Sequence, residues 1–201
     1  MKLNFDWKDD GEYHQYCISC HAEKVERTFK DGKTYYLCSG CGKTNERSIV
    51  IDPDVKWWLD EDGEYWHESS GVFVRNNRKQ FLFFERTIFP FSYTVPAGHV
   101  DAGEEPLQSA VRELKEEVGI KAKSLVEIAT EDIIGDSCRR GSDAHKWHAF
   151  LYELDGTPKV RIKEEGIKPS WLSIKEALVK ELTFPVRYIL ERYKDELSGN
   201  R

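Results

Sequence analysis

Two Cys-x-x-Cys pairs, Cys17/Cys20 and Cys38/Cys41, stand 17 residues apart and constrain the N-terminal part of the chain more than any other feature. The stretch from residue 13 to 47 has too few large aliphatic side chains for a core of its own, so it needs a staple. Disulfides fit poorly, because the N-terminus lacks the apolar stretch of a secretory signal and the fifth cysteine, Cys138, leaves the total odd. The spacing is that of four thiolates around one tetrahedral ion, with Gly40 and Gly42 allowing the turn at Cys41. A closed set of four sulfurs has no open position, which makes the expected ion, Zn²⁺, structural; unmetallated reduced thiols are the competing reading. His14 and His21 read as surface residues, with His21, beside Cys20, as the alternative ligand.

The segment 10–48 resembles a zinc ribbon, a family that often binds nucleic acid or protein. Residues 1–48 hold 8 Lys plus Arg and 8 Asp plus Glu, and the whole chain carries a net charge of −6. Neither value suits a sequence-independent grip on phosphate backbones or anionic membranes, so a scaffolding or dimerising ribbon is expected and a homodimer stays open. No run of 18 apolar residues occurs. The expected setting is cytoplasmic, without membrane contact.

Residues 49–67 read as a connecting segment, and Trp57, Trp58 and Trp66 leave open whether it is an irregular strand or a packing layer. From residue 68 to 201 strand and helix patterns alternate, which gives an α/β class. Gly71–Arg75 and Gln80–Glu85 read as a hairpin around Asn76-Asn77-Arg78-Lys79. Further strands are expected near 123–134, 146–154 and 158–163, and helices over 106–118, 173–180 and 184–197.

The helix at 106–118 carries two patterns. Leu107, Ala110, Val111, Leu114 and Val118 form one apolar stripe, with Pro106 suited to the first turn and Gly119 to the end. Glu113, Glu116 and Glu117, related by i, i+3 and i+4, fall on an adjoining arc. Such like charges cost an isolated helix roughly 0.2–0.5 kcal/mol per pair. By spacing alone the arc is either a solvated acidic face or a site for a hard cation such as Mg²⁺, which takes oxygen ligands and leaves places for substrate phosphates.

The surrounding residues, Gly98-x5-Glu104-x7-Arg112-Glu113-Leu114-x-Glu116-Glu117-x-Gly119-Ile120, match every fixed position of the signature of the Nudix hydrolases, which this chain closely resembles. The resemblance implies an α/β/α sandwich on a mixed sheet, preceded here by the small zinc-ribbon domain. It also implies Mg²⁺- or Mn²⁺-dependent hydrolysis of a nucleoside diphosphate linked to another group. It places metal ligands at Glu113, Glu116, Glu117 and the Gly98 carbonyl, and assigns Arg112 and Glu104 to orienting the carboxylates. Members often supply a further carboxylate from a loop before a Trp-containing segment. Lys163-Glu164-Glu165-Gly166, ahead of Trp171, has that form, with Glu165 the candidate ligand or base, Glu164 its substitute, and a plain charged turn the alternative.

A ribbon followed by such a domain resembles the NADH pyrophosphatases, but their Ser-Gln-Pro-Trp-Pro-Phe-Pro-x-Ser motif is missing after Lys121. The polar loop 136–148 offers Arg139 and Arg140 for a phosphate and His148 or Trp147 for a base or sugar; a solvated hairpin loop is the competing reading. Cys138 reads as a spare thiol, and Phe89 and Phe91 as core or base-pocket residues. The expected partner is a small nucleotide. A nucleotide sensor with little hydrolysis and an RNA-decapping type of enzyme are the alternatives.

Overall fold

The computed structural model describes residues 1–163 and 165–199. The cysteine-rich part folds into two small sheets. β1 (His14–Cys17) pairs with β5 (Ser48–Ile51), and β3 (Lys33–Cys38) lies between β2 (Val25–Lys30) and β4 (Thr44–Asn45). His14 departs from the surface position expected of it: it is buried and bonded to Asp10 and Glu23, because β1 turns it toward those carboxylates.

The rest is built on one mixed sheet. Its main path runs β11 (Val126–Ile134), β12 (Ala144–Leu154), β7 (Tyr65–Asn76), β8 (Phe81–Arg86) and β13 (Gly166–Leu172). β12 and β7 are parallel, and the other neighbours antiparallel. Three short strands add to it: β6 (Trp57–Leu59) and β10 (Ala97–His99) on β7, and β9 (Tyr93–Thr94) on β8. The tryptophan-rich segment is therefore strand, with Trp58 stacked on Trp66 across the pair.

Both faces of the central strands are apolar, and the period of two sends alternate side chains to opposite layers. Val72, Val74, Leu82 and Phe84 meet Ala110, Leu114 and Val118 of α1 (Pro106–Val118). Phe73, Phe81 and Phe83 face the other layer, made of α2 (Ile174–Leu178), α3 (Phe184–Arg192) and α4 (Lys194–Ser198). The result is the expected α/β/α sandwich. A third cluster, in which Tyr16, Ile49 and Ile51 surround Tyr65, joins the ribbon to the start of β7.

Three local expectations need correction. Residues 158–163 form no strand: Val160 and Ile162 pack on the α1 core as irregular chain, and the Lys163 N–H donates to the Glu117 carbonyl (3.0 Å). The last helix breaks at Tyr193, whose backbone leaves the helical region as its hydroxyl bonds to Glu131. Leu107 is exposed, since the stripe on α1 turns inward only from Ala110.

Gly71 is a close-packed point at the centre of the sheet. A Cβ there would overlap the Trp147 ring and crowd Ala97. Overpacking a closed core costs typically about 1–3 kcal/mol, so Gly71→Ala is expected to lower the unfolding free energy by that amount and the urea midpoint with it, and an unchanged midpoint would contradict this packing.

Candidate active site

The carboxylates reach their places because α1 is fixed at both ends. Pro106 occupies the first turn, the Gln108 side chain accepts from the Glu105 N–H (3.0 Å), and Gly119 ends the helix at φ +74. Beneath it, Ser109 is buried and accepts a hydrogen bond from Ser70 of β7 (2.9 Å). That anchors α1 against β7 and its partner β10, where Gly98 passes so close to Glu113 that any Cβ would overlap the carboxylate. The glycine is thus required by contact, and its main chain is presented to Glu113.

Arg112 organises the group. Its guanidinium donates twice to Glu104 (3.1 and 2.9 Å) and also reaches Glu113 (2.6 Å), Glu116 (3.5 Å) and the His99 carbonyl (3.1 Å). The Glu104 pairing outweighs burial and holds Arg112 firmly charged; against the same cost of burial, Arg112 keeps Glu104 below its ordinary value. Glu117 accepts from the Ala97 N–H (2.9 Å). Burial, with the Glu113 charge beside it, pushes Glu117 up to about 8, and burial likewise raises Glu113. These two carboxylates are held in place without enough positive charge around them, which is the condition a divalent cation relieves. Glu113, Glu116, Glu117 and the Gly98 carbonyl supply hard oxygen donors, so the residues fit Mg²⁺ or Mn²⁺.

All of them line one cavity of about 530 Å³. Arg86, Arg139, Arg140 and Lys163 line the same cavity, so cationic side chains share it with the carboxylates. Glu165 lines it too, paired with Arg139 (3.3 Å); Glu164 lies outside the described residues. Arg140 pairs with Asp52 (2.5 Å). His148 is not among the cavity residues: its neighbours His145 and Trp147 point in, while the strand period turns His148 away to Glu68 (2.7 Å) and Thr130 (2.8 Å). Phe89 and Phe91 do not line it either; they lie under Arg47 and Lys33 at the ribbon contact. Sequence reasoning missed Arg86. Its Nε is buried with no hydrogen-bond partner, and its one signal is a cation closing a strand whose first four residues are apolar.

The four cysteine sulfurs all lie within 4.8 Å of one another, with Cys17–Cys41 at 3.8 Å and Cys20–Cys38 at 3.7 Å. A tetrahedron with metal–sulfur bonds of about 2.3 Å has edges of about 3.8 Å. The two knuckles are equivalent, since the His21 N–H returns to the Cys17 carbonyl and the Gly42 N–H to that of Cys38, both at 2.8 Å. His21 takes the left-handed φ that Gly42 takes and stacks on Phe5, outside the sulfur cluster.

Lysine cannot reproduce the fork of Arg112. Arg112→Lys is expected to raise the Mg²⁺ concentration for half-maximal rate about 10- to 100-fold, the usual cost of losing a group that orients metal ligands. A Mg²⁺ titration that superimposes on the wild-type curve would remove Arg112 from that role.

Comparison with known proteins places this geometry. The family model described as NUDIX domain matches residues 66–193. An RNA pyrophosphohydrolase of Brucella anthropi is 38% identical over 74 residues, 31% of this chain and 42% of that protein, so this match spans less than half of the relative. An asymmetrical bis(5'-nucleosyl)-tetraphosphatase of Caenorhabditis elegans is 29% identical over 122 residues, 60% of this chain and 86% of that enzyme. In structure, the NUDIX domain of Shewanella oneidensis NrtR, solved with ADP ribose, superimposes with a TM-score of 0.57 at 15% identity, covering 70% of this chain and 94% of that one. With the matched region spanning the central sheet and its carboxylate helix, the chain belongs to the Nudix family.

Proposed function

We propose that this protein hydrolyses the pyrophosphate bond of a nucleoside diphosphate linked to another group, using Mg²⁺ or Mn²⁺ at Glu113, Glu116, Glu117 and the Gly98 carbonyl, and that the four cysteines hold a structural Zn²⁺. The observation that carries the reading is the one cavity lined by both the carboxylates of α1 and the arginines Arg86, Arg139 and Arg140. A pyrophosphate is a string of anionic oxygens, and such a site needs cations on both sides of it. When bound, the divalent ion supplies neutralisation of those oxygens and a water of lowered pKa.

The chain's own groups do the rest. Arg86, with its unpartnered Nε, and Arg139 grip phosphate oxygens, and their planar forks fix the bridging oxygen relative to the carboxylates. Glu165 faces the same space and takes the proton of the attacking water, while Arg139 beside it stabilises the ionised carboxylate. Arg112 and Glu104 keep Glu113 and Glu116 aimed as the substrate's charge arrives.

The test is product identification with Mg²⁺ and a panel of NADH, ADP-ribose, dinucleoside polyphosphates, nucleotide sugars, nucleoside triphosphates and 5'-triphosphorylated RNA. The expected result is cleavage of one class between two phosphates, releasing a nucleoside monophosphate. Binding of a nucleotide without cleavage of any member would replace hydrolysis by sensing, and cleavage confined to the RNA would move the reading to RNA 5' ends.

A further inference from the structure

His67 of β7, His99 of β10, His145 of β12 and Cys138 of the β11–β12 loop form a second cluster whose ligand atoms all lie within 4.8 Å of one another. None of the four belongs to the carboxylate group or the cysteine knuckles. The rings of His67, His99 and His145 have centroids 4.7, 5.5 and 5.7 Å apart, and the Cys138 sulfur stands 3.6 Å from His67 Nδ1.

The surrounding hydrogen bonds decide where the histidine lone pairs point. Tyr65 gives its one hydroxyl proton to the Val50 carbonyl (2.5 Å), so toward His67 it can only accept. His67 Nε2 is 2.7 Å from that oxygen and must donate, which leaves Nδ1, the atom facing Cys138, as a bare lone pair in the neutral ring. His145 Nδ1 lies 3.0 Å from the Asp136 carbonyl, which can only accept, and 3.1 Å from a carboxylate oxygen of the same residue. Nδ1 therefore donates, and Nε2 is the atom left free. Two buried imidazoles are each turned by an outer partner so that the other nitrogen is offered inward. Orientation of that kind is how metal-binding histidines are held.

We propose that His67, His99, His145 and Cys138 bind a second transition-metal ion of the Zn²⁺ class in a three-nitrogen, one-sulfur shell at the floor of the cavity. The donor set excludes Mg²⁺ and Ca²⁺, which take oxygen, and four protein donors fill a tetrahedral shell, so the role is structural. Three ligands sit on adjacent strands of a rigid sheet. The fourth sits on the loop that carries Arg139 and Arg140, a loop already held at the Cys138 carbonyl by Arg47 (2.9 Å). The ion ties that loop to the sheet and fixes Arg139 and Arg140 in the cavity lining.

The inference does not depend on hydrolysis and is tested by metal counting. The full-length reduced protein is saturated with Zn²⁺, desalted, and weighed by native mass spectrometry. Two ions per folded chain are expected, falling to one in Cys138→Ser. One ion in the wild type, unchanged in Cys138→Ser, would overturn the proposal, and the wild-type count decides even if the variant fails to fold. Alkylation gives a second readout. Cys138 is half-buried, and without a metal its sulfur is left free for alkylation. In the Zn²⁺-saturated wild type, peptide mapping should find it unmodified by iodoacetamide; rapid modification there would also overturn the metal assignment.

Discussion

Glu116→Gln is expected to lower kcat/KM on the cleaved nucleotide by about 100- to 1,000-fold, the loss of some 3–4 kcal/mol of transition-state stabilisation from a displaced divalent ion. The thermal midpoint should stay where it is. Glu116 is exposed, and its one contact in the group is the long 3.5 Å approach of Arg112, so the fold loses nothing by the change. Glu117→Gln makes the complementary test. Its raised folded value means that, without metal, this carboxylate favours folding below its ordinary value near 4.5, and that this contribution is lost as pH rises toward about 8. At neutral pH the carboxylate, ionised in the unfolded chain, must take up a proton to fold and so opposes folding, whereas the amide, which can still accept from the Ala97 N–H, does not. In Mg²⁺-free buffer near pH 8, Glu117→Gln should melt above the wild type, by about 2–4 °C for each kcal/mol relieved in a chain of this size, and be inactive. A variant that is both more stable and inactive identifies a site built against the fold's own stability. An active Glu116→Gln enzyme would remove the helix from the chemistry.

The sandwich was legible because its signals are local and periodic. The alternation in Val72–Phe73–Val74 and Phe81–Leu82–Phe83–Phe84 specifies a strand pair buried on both faces, and the 3.6-residue stripe of Ala110, Leu114 and Val118 specifies the helix that covers one of them. The carboxylate helix was legible for the same reason: Arg112, Glu113, Glu116 and Glu117 lie within two turns of one element. What escaped was assembled from separate elements. Arg86 was missed altogether, and although Glu165 and Arg139 were each candidates, no spacing in the chain brings the end of β8, the approach to β13 and the β11–β12 loop to one cavity. Cys138 read as a spare thiol because its three histidine neighbours are 71 and 39 residues upstream and 7 downstream, gathered only by the order of β10, β7 and β12. His148 shows the converse error. It lies beside Trp147 in sequence, but in a strand adjacent residues face opposite ways.

Cys38→Ser is expected to unfold the ribbon and loosen the substrate loop while leaving the sandwich intact. The three-stranded sheet of the ribbon has little to hold it but the sulfurs, since β2 buries none of its six residues completely. Structural zinc in small modules contributes about 10–16 kcal/mol of apparent binding free energy, which is folding free energy there. Loss of the buried Cys38 ligand should therefore abolish amide protection through β1–β5. The effect then passes to the active site by a defined route. The β5 edge donates from Ser48 N–H to the Arg139 carbonyl (3.1 Å) and from Val50 N–H to that of Arg140 (3.0 Å), and Arg47 donates to the carbonyls of Cys138 and Ser142, both at 2.9 Å. With the ribbon gone, the back of the arginine loop has lost these bonds, and KM should rise at least about tenfold, the equivalent of one phosphate contact of roughly 1.4 kcal/mol. The chemical step should suffer less, because α1 is anchored on the opposite layer. Hydrogen exchange and steady-state kinetics separate the two parts of the prediction. Protection retained over residues 14–51 would show that the cysteines are not the staple, and an unchanged KM alongside an exchanged ribbon would show that the loop holds Arg139 and Arg140 without it.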